Sequence, residues 1–150
     1  MKYYNSRLNW ITLVVILSSF TTRIGGESYT IHLNNKLVAE HYLTSKAVTP
    51  SVALNQAESN DELSIYYNEC GRIGTARKLI IKNEKDQVLK TWSFANASDE
   101  HAPMVCKVKD ILALKQTGTT SPRLYYTSKE VASERFLATL VLANVGTAKK

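Results

Sequence analysis

The sequence predicts an all-β fold: a single antiparallel β-sandwich of about 7–8 strands, immunoglobulin-like or jelly-roll-like, with at most one short helix. Three observations carry this. Apolar residues alternate with polar ones at a period of two along most of the chain. Turn-forming stretches recur about every ten to fifteen residues. At 150 residues with only six glycines and three prolines, the chain has the length of one ordinary domain and no low-complexity composition.

The alternation starts with Tyr29, Ile31 and Leu33. Asn34-Asn35-Lys36 reads as a turn and Leu37 to Leu43 as its return strand. Residues 44–60 are polar and hold at most a short strand at Ser51 to Leu54. Leu63, Ile65 and Tyr67 form the next apolar face, followed by a loop from Cys70 to Thr75. Leu79 and Ile81 face one way, and Lys78, Ile80 and Lys82 the other. Asn83 to Asp86 connects a hairpin whose second strand carries Val88, Trp92 and Phe94, with Lys90 breaking the pattern.

Residues 95–103 form a polar loop, and Met104 to Val108 is a strand. Asp110 to Gln116 is either a helical turn capped by Asp110 or an irregular stretch. Leu124 and Tyr126 mark another strand. Phe136 to Ala143 is apolar on both faces, as in a strand buried on both sides. The good helix formers between Glu130 and Leu142 leave a helix as the alternative over 130–143, but no 3.6-residue stripe emerges.

The N-terminus has a different character. Lys2 and Arg7 precede a ten-residue apolar run, Ile11 to Phe20, and a small polar stretch to Ser28 follows. That order is the order of a secretory signal peptide, and the run is half the length a spanning helix needs. Residues 1–26 are therefore expected to be removed, with the cut after Thr21, Thr22 or Gly26. Residues 27–146 would form the sandwich, and 147–150 a disordered basic tail. The product is expected outside the cytoplasm, secreted or periplasmic, with no stable membrane insertion.

Charge reads differently after that cut. The whole chain carries 19 basic and 13 acidic residues, net +6. Losing Lys2, Arg7 and Arg23 leaves sixteen against thirteen, net +3, and Lys149 and Lys150 supply two of those three charges. A near-neutral body without a basic cluster excludes a nucleic-acid partner. In an oxidising compartment, Cys70 and Cys106 are expected to form one disulfide. It would close a loop of about 36 residues and contribute roughly 3–4 kcal/mol.

Catalysis finds little to work with. There is no Gly-x-Ser-x-Gly elbow. The acid pairs Asp61-Glu62, Glu84/Asp86 and Asp99-Glu100 lie in polar turns, where acids are usually just solvated. His101, Met104 and Cys106 could ligate copper, but Met104 and Cys106 share a core face, so packing explains both. No enzyme, no metal and no cofactor is expected.

Aromatic residues supply the candidate site. In Tyr66-Tyr67 and Tyr125-Tyr126 one ring of each pair must face outward, and parity selects Tyr66 and Tyr125. With Trp92, and with Arg72, Arg77 and Arg123 near in sequence, they could form a Tyr/Arg binding surface. Two partners follow. One is a protein of the cell envelope, docking through a sheet edge or an aromatic patch. The other is an extracellular glycan, held by exposed Tyr and Trp rings in a carbohydrate-binding module. A flat aromatic trio would favour the sugar, and an uncovered apolar edge strand would favour the protein.

Overall fold

A computed structural model describes residues 26–43, 50–131 and 133–142. Residues 1–25, which hold most of the expected signal segment, and the basic tail 147–150 lie outside the described residues. The fold is all-β, with two sheets and one short helix.

Sheet A has the order β2-β1-β4-β7, built from β1 (Ser28–Leu33), β2 (Lys36–Tyr42), β4 (Glu62–Asn68) and β7 (Met104–Lys107). Sheet B has the order β3-β9-β8-β5-β6, built from β3 (Ser51–Ala53), β5 (Lys78–Lys82), β6 (Val88–Ser93), β8 (Arg123–Thr127) and β9 (Arg135–Val141). Among the described residues nine strands thus stand where seven or eight were expected, the ninth being the short β3.

The hairpins follow from their turn residues. Asn34 and Asn35 both adopt left-handed φ, 49° and 65°, the geometry of a two-residue turn that matches strand twist. Asn tolerates that region because its short amide can bond locally. Here the Asn34 side chain donates to Asp61 Oδ1 at 2.7 Å and accepts from the Glu62 N–H at 3.0 Å, tying the turn to the start of β4. In the β5–β6 connection, Asn83 Oδ1 accepts from the N–H groups of Lys85 and Gln87.

The core lies between the sheets. Sheet A contributes Tyr29, Ile31, Leu63, Ile65, Met104 and Cys106, and sheet B contributes Leu79, Ile81, Leu124, Tyr126, Leu137 and Leu140, all buried. Burial of side chains of this size is worth about 1.5–3 kcal/mol each. The helix α1 (Val108–Leu112) and the 3-10 turn Ala113–Thr117 add Val108, Ile111 and Leu114 to the same core.

Several expectations are corrected. Asp110 does not cap the helix: Lys107, three residues earlier, occupies that position, and Asp110 lies in the first turn. There the Asp110 carboxylate stands 3.6 Å from Lys90 Nζ. Lys90 pairs with Ile81 and therefore faces the core side, but β6 is an edge strand, so its ammonium reaches past the Trp92 ring, 5.3 Å from the centroid, to that acid.

The pairing of β3 with β9 is parallel, in a sandwich expected to be antiparallel throughout. Alternation shows which face a strand buries and nothing of its direction. Segment 130–143 contains a strand, not a helix, yet β9 is not buried on both faces. A register shift opposite Leu124 and Tyr125 lets consecutive Leu137 and Ala138 both face inward, while Phe136 packs on the outer face against Tyr125.

Candidate functional site

The residues of the expected Tyr/Arg surface are not brought together. Tyr66 lies on the outer face of sheet A, opposite Thr30, with its ring 5.1 Å from that of His32. Tyr125 lies on the outer face of sheet B, edge-on to Phe136 at 5.5 Å with Lys82 Nζ 5.0 Å from its centroid. The hydrophobic core separates the two. Trp92 pairs with Leu79 and faces the core side from the edge of sheet B.

The three arginines tie loops in different places. Arg72 is exposed in a turn, its Nε donating to the Glu69 carbonyl at 3.3 Å. Arg77, only 7% exposed, donates from Nε to the Ala95 carbonyl and from Nη1 to that of Ala102, at 3.1 and 2.7 Å. Arg123 holds the β5–β6 turn through the Asn83 carbonyl and Asp86 Oδ1.

The disulfide expectation is corrected as well. Cys106 and Cys70 are both free thiols. Cys106 is buried opposite Leu63 in β4, whereas Cys70 is exposed in the turn beyond the far end of that strand. At about 3.3 Å per residue the two are separated by roughly 20 Å of strand, and a bridge needs Cα atoms within about 7 Å. Burial pushes the Cys106 thiol up to about 12.

Metal ligands do not gather either. Met104 and Cys106 point into the core while His101 is exposed, and no group of three or more His, Cys, Asp or Glu forms a metal cage among the described residues. No helix among the described residues is long and apolar enough to cross a membrane.

Sequence reasoning missed a buried polar cluster at one end of the sandwich. Tyr67 of sheet A stacks on Tyr126 of sheet B, centroids 4.1 Å apart and planes at 23°, and Tyr29 lies parallel to Tyr67 at 6.2 Å. The Tyr126 hydroxyl donates to Glu69 Oε1. Glu69 is only 1% exposed, and its Oε2 has no hydrogen-bond partner among the described residues. Burial, reinforced by the Glu69 carboxylate, raises the Tyr126 phenol above its ordinary value.

Beside the cluster, Glu27 Oε2 accepts from the Tyr67 hydroxyl at 2.7 Å and from Arg135 Nε at 2.9 Å. Burial alone would raise the Glu27 carboxyl, but these donors outweigh it and hold it below its ordinary value. Glu27, Arg135, Leu43 and Cys70 line a cavity of about 450 Å³. A turn acid at position 69 and a lone Glu27 carry no sequence signal of burial, because neither lies in an apolar run.

Two surface features remain. The first is the edge of sheet A at β2. Strand β2 pairs only with β1 among the described strands and exposes Leu37 (49%), Val38 (37%) and Tyr42 (57%). These are three of the six large apolar side chains exposed among the described residues. The register shift against Ile31 and His32 leaves Val38 as an extra residue, so neither it nor Leu37 is drawn into the core.

The second is a slot of about 150 Å³ on the outer face of the same sheet. Ser28, Thr30, Tyr66 and Asn68 line it from β1 and β4, and Glu100 and His101 from the polar loop 95–103.

Compared with known protein families and with curated proteins, the chain matches no family model and no curated protein.

Proposed function

We infer that this is an exported, non-catalytic binding module that docks a partner protein of the cell envelope or extracellular space through the edge of sheet A. The observation that carries the reading is β2. An edge strand leaves a row of backbone donors and acceptors without a neighbour, and an extended segment of a partner can add to it as a further strand. Leu37 and Val38 supply apolar contact along that row, beside the exposed charges of Lys36 and Glu40.

The finer fold reading is immunoglobulin-like. Sheet neighbours β4–β7 and β9–β8–β5–β6 follow in chain order the B–E and G–F–C–C′ neighbours of such domains. Export rests on the charged, apolar, small order of residues 1–26. The scatter of Tyr66, Tyr125 and Trp92 over different surfaces removes support from a flat aromatic platform for glycans.

The test is a photo-reactive amino acid placed at Val38 or Tyr42 and, as a control, at Thr91 on the edge of sheet B. Irradiation of cells producing the protein should give one discrete protein adduct from the β2 positions and none from Thr91. Adducts absent from both β2 positions, or equal from Thr91, overturn the reading. Mass determination of the extracytoplasmic product checks export: a chain beginning at residue 22, 23 or 27 supports it, and a product that retains the whole N-terminal segment sinks it.

A further inference from the structure

We propose that the slot between β1, β4 and the 95–103 loop is a binding site for the terminal ring of a neutral or amino-substituted hexose. It is separate from the β2 edge and does not depend on the protein-docking reading.

The loop wall of the slot is rigid. Residues 95–103 contain no helix or strand, and polar loops of that length are costly to order unless something holds them. Here the buried Arg77 guanidinium grips the loop at both ends, through the carbonyls of Ala95 and Ala102. The Ala97 N–H donates to the Gly74 carbonyl at 2.9 Å, and the Ala76 N–H to Asn96 Oδ1 at 3.0 Å. Asp99 accepts from the His101 N–H and the Ser98 hydroxyl. The wall that carries Glu100 and His101 is therefore preorganised, and a ligand would meet it without further ordering.

The lining offers the groups a sugar ring needs. Tyr66 provides a ring face, and its contact with the His32 ring fixes its lean. Ser28 and Thr30 provide hydroxyls from the neighbouring strand. Asn68 Oδ1 is taken by the Gly71 N–H at 3.2 Å, which leaves the amide NH₂ as a donor. Glu100 provides a carboxylate whose Oε1 lies 3.5 Å from His101 Nε2 and whose remaining lone pairs can accept from hydroxyls. An apolar face beside paired donors and acceptors matches a sugar ring, which has C–H groups on one side and hydroxyls around its rim.

Charge narrows the class. Among the described residues no lysine or arginine lines the slot; Glu100 does, with His101 Nε2 3.5 Å from its Oε1. An acidic sugar would meet repulsion there, while a neutral sugar or one bearing an ammonium would not. The volume admits one ring rather than a chain, so recognition is of a terminus. In the larger cavity beside Glu27, the carboxylate and the Arg135 guanidinium bond each other through both carboxylate oxygens.

The experiment is calorimetric titration of the full chain with glucose, glucosamine, N-acetylglucosamine and glucuronic acid. The expected result is saturable binding of at least one of the first three with a Kd of about 1 mM, and none of glucuronic acid. Tyr66→Ala and Glu100→Gln should each weaken that binding by about tenfold or more, and Tyr125→Ala on the opposite sheet should leave it unchanged. Glu100 lies in an exposed loop, so its variant keeps the test valid if Tyr66→Ala unfolds. No saturation by any of the first three sugars overturns the proposal. So does preference for glucuronic acid, or binding indifferent to Glu100→Gln.

Discussion

Gly74 has no room for a side chain. A Cβ there would lie 2.9 Å from Glu69 Oε1, 3.0 Å from the Tyr126 hydroxyl and 3.1 Å from Arg77 Cδ. All three groups are buried and mutually constrained, so none can swing aside as a surface side chain would. Gly74→Ala is expected to cost about 1–3 kcal/mol, as overpacking of a filled core does. Urea unfolding followed by circular dichroism reads it directly, and a loss below about 0.5 kcal/mol would mean the cluster is looser than its geometry. Tyr67 and Tyr126 were legible as inward rings from parity alone. Glu69 was not, because an acid two residues from a glycine usually faces water. Its burial depends on Tyr126, 57 residues away in sequence, and no local pattern encodes that meeting. Trp92 and Lys90 share a face by parity too, and the edge position of β6 lets the Lys90 ammonium reach Asp110 on α1.

Strand positions were largely readable because each has its own alternation, and the Asn34-Asn35 turn because two residues in left-handed φ need such side chains. Links between loops were not. Glu130, in the β8–β9 connection, accepts from both the N–H and the hydroxyl of Thr75 in the loop after β4. Those bonds, the hydroxyl's first, lower the Glu130 carboxyl to about 2 from an ordinary 4.5. A carboxyl depressed on folding adds stability that is fully present above its ordinary value and is lost as pH falls through its folded one. The Thr75 amide resonance should therefore titrate with a midpoint near 2, and the Thr75–Glu130 link should weaken between pH 4.5 and 2. Glu130→Gln should be less stable than the parent at pH 7, and the difference should shrink steadily as pH falls from 4.5 toward 2. A Thr75 titration centred near 4.5 would show that the clasp does not form in solution. The direction of β3 belongs to the same class of hidden fact. Its three residues gain a partner only when β9, some ninety positions later, offers its free side.

At the scale of the molecule, one end of the sandwich is held by side chains from across the sequence. Glu27, just before the first strand, reaches Tyr67 on β4 and Arg135 on β9, and its own carbonyl accepts from the Leu43 N–H after β2. Sheet A and sheet B are thereby fastened together at the start of the fold, above the Tyr67–Tyr126 stack. The position of an export cut then has a structural consequence. Cuts after Thr21, Thr22 or Gly26 all leave Glu27 in place, whereas a chain starting at Ser28 would leave the Tyr67 hydroxyl and the Arg135 guanidinium without their acceptor. An unmet buried donor costs about 1–3 kcal/mol, which in a chain of this size lowers the melting midpoint by roughly 3–10 °C. Chains beginning at residue 27 should match longer ones in thermal melts, and those beginning at residue 28 should fall short by that margin. Glu27→Gln in the longer chain separates the causes. If the carboxylate matters, this variant loses part of the margin although it keeps every backbone contact. If only the Leu43 hydrogen bond matters, it loses none.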